Sequence, residues 1–304
     1  MSKNIVFMGT PEYAARILEE LIQTGFNILT VITQQDKAVG RKQILTQSAV
    51  KTLALKHNLK VLTPKSLKDE IFQELLRKLD IDFIVVAAYG KILPKSILEL
   101  APCINLHASL LPKYRGASPI QSAILNGDEK SGVCTMLMDE GLDTGAILQS
   151  LECDIKDKNA LLVFEELGEL AAKLCVKTLN EFQSLHPQIQ DESKASFCTK
   201  IKKEDGLIDI KEQTARDIYQ QYLAFYNWPQ IFLNNGLKLV EIELVSEDEK
   251  HQGAQILSLE KDAFLLACKN GVLRIKKLQE AGKKVLDART YLNGKRLKSG
   301  DYLY

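Results

Sequence analysis

Short apolar runs alternate with amphipathic stretches over the first 180 or so residues. Ile5-Val-Phe-Met8 has the pattern of a buried strand, Gly9-Thr-Pro11 that of a turn, and Ala14, Ile17, Leu18 and Leu21 share one face of a helix. Thr10 is expected to cap that helix and Pro11 to open it. Residues 26–32 form the next strand-like run, so the chain opens as a βαβ unit, which predicts a parallel sheet. It lacks G-x-G-x-x-G, so no dinucleotide ligand is inferred. Helices are expected over residues 49–57, 68–79, 119–126 and 161–182, and strands near 60–62, 104–107, 132–138 and 147–149. Residues 82–88 are apolar after Asp82, with β-branched Ile84, Val85 and Val86 at their centre, as suits a central strand covered on both faces. Residues 33–45 break the alternation. They are polar and basic, without clear periodicity, and long for a strand-to-helix connection, so composition reads them as a surface loop.

After residue 186 the pattern changes. A polar stretch containing Pro187 reads as a linker, and a helix is expected over residues 214–225. Strand-like runs then recur at 230–233, 237–244, 255–260, 263–267 and 272–278, with Asn235-Gly236 and Asn270-Gly271 as turn signals. The expected class is therefore α/β: a Rossmann-like, mainly parallel sheet domain over residues 1–188, a linker over 189–206, and a small C-terminal β-barrel (OB-like) domain over 207–304. The single Trp228 reads most simply as a packing anchor beneath that barrel.

Composition narrows the function classes. An apolar content of 45% and a charged content of 26% are ordinary for a globular chain, and no apolar run is long enough to span a bilayer. The N-terminus enters a strand directly, so no targeting peptide is expected. Six scattered cysteines without Cys-x-x-Cys read as reduced core residues of a cytoplasmic protein, and four histidines without a ligand motif argue against a metal. The net charge of +1 is unevenly spread: residues 194–304 hold 19 Lys and Arg against 15 Asp and Glu, concentrated in the last thirty. A basic surface suits a phosphate-bearing partner, although a solvated face has the same composition.

The candidate chemistry lies in residues 104–119. Asn105 and His107 alternate with Ile104 and Leu106 at the end of a strand, so their side chains share one side of the sheet. Ser109-Leu-Leu-Pro112 follows as a turn offering backbone amides. Asp143, in Gly141-Leu-Asp-Thr-Gly145, offers a carboxylate beyond the next strand. An amide donor, an imidazole and a carboxylate are the parts needed to move an acyl group onto an amine. The same residues also fit a hydrogen-bonded structural histidine beside an ordinary turn.

Residues 104–116 and 138–145 resemble the two signature blocks of the 10-formyltetrahydrofolate-dependent formyltransferases. The first meets each fixed position of their N-x-H-x-S-L-L-P-x-aromatic-R-G pattern. The likeness covers nearly the whole chain and points to the methionyl-tRNA formyltransferases. Residues 33–45 are similar to the insertion those enzymes direct at the tRNA acceptor end, with Arg41 matching the family's arginine, Lys37 and Lys42 beside it, and Gln35 where a proline is usual. Residues 200–209 and Tyr226-Asn-Trp-Pro229 resemble their C-terminal domain, although Leu223–Pro229 lacks the arginine and first proline of the usual motif.

This resemblance implies transfer of formyl from the co-substrate 10-formyltetrahydrofolate to the α-amine of initiator methionyl-tRNA, for translation initiation, by a monomeric enzyme without a metal. Asn105 would bind the oxygen that gains charge as the amine adds. His107 would support that oxygen or protonate the departing folate nitrogen, and Asp143 would orient the ring or accept the amine proton. Folate would be held by Tyr89, Gly90 and Ile92, by Ser109, Leu110, Leu111 and Pro112, and by Met138, Asp139 and Gly141; tRNA would meet Lys37, Arg41 and Lys42. Arg115 fits either an anion or a bridge to a carboxylate and is left outside the catalytic set. Glycinamide ribonucleotide and sugar-amine formyltransferases and the hydrolase-like domain of formyltetrahydrofolate dehydrogenases share the signatures. The first lack a barrel, and the last is attached to a large dehydrogenase. Gly40-Arg-Lys42 and the 200–209 match argue against a sugar-amine enzyme. A module that only binds would not need Asn105, His107 and Asp143 together.

Overall fold

The computed structural model describes residues 2–40 and 43–304, with the side chain of Val39 excepted. Two compact units emerge. The first takes the chain up to Pro119, then Lys130–Asp154 and Val163–Thr199; the second takes Ile120–Glu129, Ile155–Leu162 and Lys200–Tyr304.

In the first unit the chain runs β1 (Asn4–Gly9), α1 (Glu12–Gln23), β2 (Asn27–Ile32), a hairpin of β3 (Lys37–Val39) and β4 (Ile44–Thr46), α2 (Ala49–Lys56), β5 (Val61–Leu62), α3 (Glu70–Arg77), β6 (Phe83–Ala87), α4 (Lys95–Leu98), β7 (Cys103–His107) and β8 (Arg115–Gly116). After α5 (Pro119–Leu125), which beyond Pro119 belongs to the second unit, come β9 (Lys130–Leu137), β10 (Ile147–Asp154) and α6 (Ala160–Glu181, in this unit from Val163), and later β11 (Phe197–Cys198). The main sheet has the order β10-β9-β7-β6-β1-β2-β5. Its strands β7, β6, β1, β2 and β5 pair in parallel, whereas β9 is antiparallel to both β7 and β10. The mainly parallel α/β sheet is as expected.

Burial explains the strand sequences. Every residue of β6 and all but the first of β1 are buried, because helices cover both faces. On one side Val6, Met8, Ile84 and Val86 pack with Phe72 and Leu76. Side-chain caps fix several helix starts: Ser48 accepts from Lys51 N at 3.0 Å and Asp69 from Phe72 N at 2.9 Å. The start of α1 differs from expectation. Pro11 occupies the cap position, the helix opens at Glu12, and the Thr10 hydroxyl donates instead to the Tyr89 carbonyl at 3.3 Å. Residues 33–45 also differ: they contain a paired β-hairpin, with Ala38 opposite Leu45, and Asp36 at its base binds Lys51 at 2.8 Å.

The second unit contains α7 (Ala215–Ala224), β12 (Lys238–Ser246), β13 (Ile256–Leu259), β14 (Phe264–Ala267), β15 (Val272–Gln279), β16 (Leu286–Asp287) and α8 (Ala288–Lys295). The strands form an antiparallel sheet, β12-β15-β14-β13, with β16 paired to β15. Leu239, Phe264, Ile275 and Leu278 of this sheet share a core with Tyr291 and Leu292 of α8. Residues 230–233 contribute only bridges from Phe232, to Leu207 and Lys238, rather than a strand. Trp228 is 55% exposed, so it is not an anchor beneath the sheet.

The basic surplus of this unit is partly neutralised locally. Arg274 binds Glu260 at 2.7 Å and Glu243 at 2.9 Å, Lys277 binds Glu241 at 2.6 Å, and Glu280 binds Lys283 at 2.5 Å and Lys295 at 2.6 Å. Lys284, Arg289, Arg296 and Lys298 take part in none of these pairs.

Candidate active site

Asn105 and His107 lie at the carboxyl end of β7, opposite Met136 and Cys134 of β9. In open α/β sheets this end of the strands is where ligands sit. Asn105 is 9% exposed and His107 is 6% exposed, so each must be partnered inside the protein. The following turn supplies one partner. Ser109 Oγ donates to the Lys113 carbonyl at 2.6 Å and Lys113 N to the Leu110 carbonyl at 3.1 Å, which turns the Tyr114 carbonyl onto His107 Nε2 at 2.8 Å. A carbonyl can only accept, so Nε2 carries a proton and Nδ1 is the ring nitrogen left to face Asp143.

Asp143 completes the set. Its carboxylate lies 3.6 Å from His107 Nδ1, accepts from Asn105 Nδ2 at 3.3 Å and accepts from Gly116 N at 2.8 Å. The residue adopts φ +55°, a left-handed conformation that aspartate tolerates better than most residues. Gly116 is required by its surroundings: φ is +123°, and a Cβ there would fall 2.1 Å from the Cys198 carbonyl oxygen. Within the same loop, Asp139 accepts from Gly141 N at 3.0 Å and Thr144 Oγ1 at 2.7 Å.

The structure thus brings Asn105, His107 and Asp143 into direct proximity. Around them, Leu111 packs with Cys134 and Met136, and Met138 packs against both that cluster and the one containing Tyr89. Ser109, Leu111 and Tyr89 are buried, Leu110, Pro112 and Met138 are half-buried, and Gly90, Asp139 and Gly141 are exposed. Ile92 is 82% exposed and sits apart from the core in which Leu93 packs. The Tyr89 carbonyl accepts from Gln34 Nε2 at 2.7 Å, and its hydroxyl is buried without a partner among the described residues. Burial pushes that phenol up to about 12. Lys37, on β3, is exposed and donates to Gln34 Oε1 at 2.5 Å. Arg41 and Lys42 lie outside the described residues.

Sequence reading missed the segment at 188–199. Gln188 bridges Ile147, and Gln190 is 5% exposed, donating to the carbonyls of Asp143 at 2.8 Å and Gly145 at 2.7 Å. Arg115, 1% exposed, forms a two-pronged pair with Glu192 at 2.7 and 2.9 Å and donates to Gln190 Oε1. Bonding to Arg115 holds the Glu192 carboxyl below the usual carboxylate range. Ser196 accepts from Tyr114 N at 2.9 Å, and β11 pairs with β8. Up to residue 199, the stretch read as a linker is therefore laid against the signature turn, with Gln190, Glu192 and Ser196 bonded there. The one sequence signal was Arg115: an arginine in a buried block requires a partner somewhere.

Near the site, burial raises the thiols of Cys103 to about 12 and Cys134 to about 11, which keeps these two protonated. Among the described residues no group of three or more His, Cys, Asp or Glu could hold a metal ion, and no helix is long and apolar enough to cross a membrane.

Comparison with known proteins places this geometry. Residues 3–168 match the formyl transferase family, and residues 200–296 match the formyl transferase C-terminal domain. A methionyl-tRNA formyltransferase of Campylobacter jejuni subsp. doylei is 65% identical over 307 residues, covering 99% of both chains. One from Nitratiruptor sp. is 51% identical over 303 residues, again covering 99% of both. In fold, the chain is similar to an N-formyltransferase from Helicobacter canadensis solved with folinic acid and dTDP-3-aminofucose, with a TM-score of 0.69, 22% identity, and 90% of this chain and 99% of that one covered. Identity of this depth across both units means that the chain belongs to the methionyl-tRNA formyltransferase family.

Proposed function

We propose that this chain transfers the formyl group of 10-formyltetrahydrofolate to the free α-amine of methionine on initiator methionyl-tRNA, preparing the initiator for translation. The observation that carries the chemistry is the contact of Asn105 and His107 with one carboxylate, Asp143, at 3.3 and 3.6 Å. The residues fit the co-substrate: the strand ends offer a donor, a ring nitrogen and a carboxylate side by side, and Tyr89, in the loop after β6, carries a buried hydroxyl with an unused donor.

In this reading one hydrogen of the Asn105 amide holds Asp143 and the second faces the formyl oxygen as the amine adds to its carbon. Removing one such donor from a developing oxyanion typically costs roughly 10²–10³ in rate. The new C–N bond forms to the methionine nitrogen, which loses a proton, and the bond to folate N10 breaks as that nitrogen gains one. His107 Nδ1 and Asp143 face each other and share this proton traffic, while Tyr114 keeps the ring in one orientation through Nε2. Ser109 to Pro112, Tyr89, Gly90 and Ile92, and Met138, Asp139 and Gly141 hold the folate. Lys37, Arg41 and Lys42 meet the acceptor end of the tRNA, and residues 207–304 bind its body. All three catalytic groups come from one chain, so a monomer suffices, and six free thiols suit a reducing cytoplasm.

The test is formyl transfer to charged initiator methionyl-tRNA, with elongator methionyl-tRNA and an amino-sugar nucleotide as competitors. Selective formylation of the initiator is expected. Turnover of the amino sugar alone would discard the tRNA assignment, and no turnover on any amine would discard the chemistry.

A further inference from the structure

The contacts of residues 188–199 point past packing to a role in catalysis. Each polar valence of the buried Gln190 amide is used. Its two hydrogens go to the Asp143 carbonyl at 2.8 Å and the Gly145 carbonyl at 2.7 Å; its oxygen accepts from Arg115 Nε at 3.1 Å and Nη2 at 2.9 Å. The amide can adopt only this orientation, because turning it over would set its oxygen against two carbonyls and its NH₂ against a guanidinium. Arg115 is held in turn by both oxygens of Glu192. The carbonyls that Gln190 grips belong to the turn that carries the Asp143 carboxylate, and Asp143 sits there at φ +55°. A lone left-handed residue in an exposed loop has neighbouring backbone states within easy reach, and a turn pinned at both ends has far fewer.

We propose that Gln190 is a positioning residue for formyl transfer: pinned by the Arg115–Glu192 pair, it fixes the Asp143 turn so that the carboxylate stays against Asn105 and His107. The proposal rests on the reading of Asp143 given above. Gln190 touches no reacting atom. Its contribution is to keep the catalytic geometry from drifting, and displacements of about 1 Å at such a site can cost 10²-fold.

Gln190→Glu tests this with almost no change of shape. The carboxylate keeps the bond to Arg115 but loses both donors to the Asp143 turn. The experiment measures kcat, KM for 10-formyltetrahydrofolate and KM for initiator methionyl-tRNA in four proteins: wild type, Gln190→Glu, Asp143→Asn, and the double variant. Asparagine retains the left-handed backbone at 143 while removing the carboxylate charge. The expected result is a loss of roughly 10- to 100-fold in kcat for Gln190→Glu, with both KM values within about threefold of wild type. In the Asp143→Asn background the second substitution should cost no more than about twofold, because the group it positions is already disabled. A full repeat of the Gln190→Glu loss in that background would overturn the proposal while leaving Asp143 catalytic. A rise in KM with kcat intact would also overturn it. If Asp143→Asn alone turned over like wild type, the reading of Asp143 would fail and this proposal with it. Should Gln190→Glu not fold, Gln190→Ala removes the amide without adding charge, and the same cycle applies.

Discussion

The strand end at Asn105–His107 and the hairpin β3–β4 belong to the same unit and treat their polar groups in opposite ways. At the strand end Asn105 and His107 are buried, Asp143 is half-buried, all three are bonded, and the residues that hold them are themselves held: His107 by Tyr114, Tyr114 by Ser196, Asp143 by Gly116 and Gln190. In the hairpin Lys37 and Ala38 are exposed, and Ile44 and Leu45 are 61% and 70% exposed on a ladder that pairs only with itself. On the function proposed above, the contrast follows from what each substrate demands. Forming and breaking bonds at a formyl carbon rewards groups that do not reorganise during the reaction. A polyanion is captured by reach and charge, and a projecting, lightly anchored ribbon supplies both.

The largest effect expected at the rigid end is that of His107→Ala: a fall of roughly 10²–10⁴ in kcat with folate affinity retained, read by steady-state kinetics beside folate titration. A variant that lost binding and kept kcat would mean that His107 holds substrate rather than moving protons.

Next comes the clamp behind the site. The Glu192 carboxyl is held below its unfolded value, so its stabilising contribution is fully present above about pH 4.3 and is lost as the pH falls through the folded value. Glu192→Gln should therefore unfold at lower denaturant than wild type near neutrality, and the two midpoints should converge as the medium is acidified below the usual carboxylate range. A gap independent of pH would show that the ion pair is not what Glu192 contributes.

The hairpin should respond more weakly. Lys37→Ala is expected to raise KM for the tRNA by about three- to tenfold, to leave KM for folate unchanged, and to reduce the slope of affinity against salt by about one. A kcat defect with unaltered KM would erase the contrast between the two regions. The smallest effect belongs to Leu45→Ser, whose unfolding free energy should stay within about 0.5 kcal/mol of wild type because the side chain is exposed. A larger loss in a thermal melt would mean that the hairpin is packed rather than projecting.

What the sequence made legible divides along a physical line. Strand periodicity of two put Asn105 and His107 on one side, and β7 places them so. The apolar run before Tyr89 marked the central strand β6, buried at each position. The Asn-Gly pairs at 235 and 270 lie at turns, as local φ preferences require. Other features depended on partners remote in sequence. Gln190 lies 47 residues from the Asp143 carbonyl it grips, and Glu192 lies 77 from Arg115, so a polar stretch looked like a linker although these two side chains are held in the site. In α8 the sparse buried set Ala288, Tyr291 and Leu292 was masked by the surrounding lysines and arginines. On β15, by contrast, basic residues are set beside glutamates of β12 by a pairing that only the register reveals, Arg274 opposite Glu243 and Lys277 opposite Glu241.

Asn105 is the central donor of the proposed site, its amide assigned to the formyl oxygen at the moment the amine adds. The most direct test is the single-turnover rate of formyl transfer by Asn105→Ala, with saturating 10-formyltetrahydrofolate and initiator methionyl-tRNA. A loss of roughly 10²–10³ in that rate, with the affinities for both substrates close to wild type, is the predicted result. A single-turnover rate within a few-fold of wild type would contradict it, since the cleft would then stabilise that oxygen without its central donor.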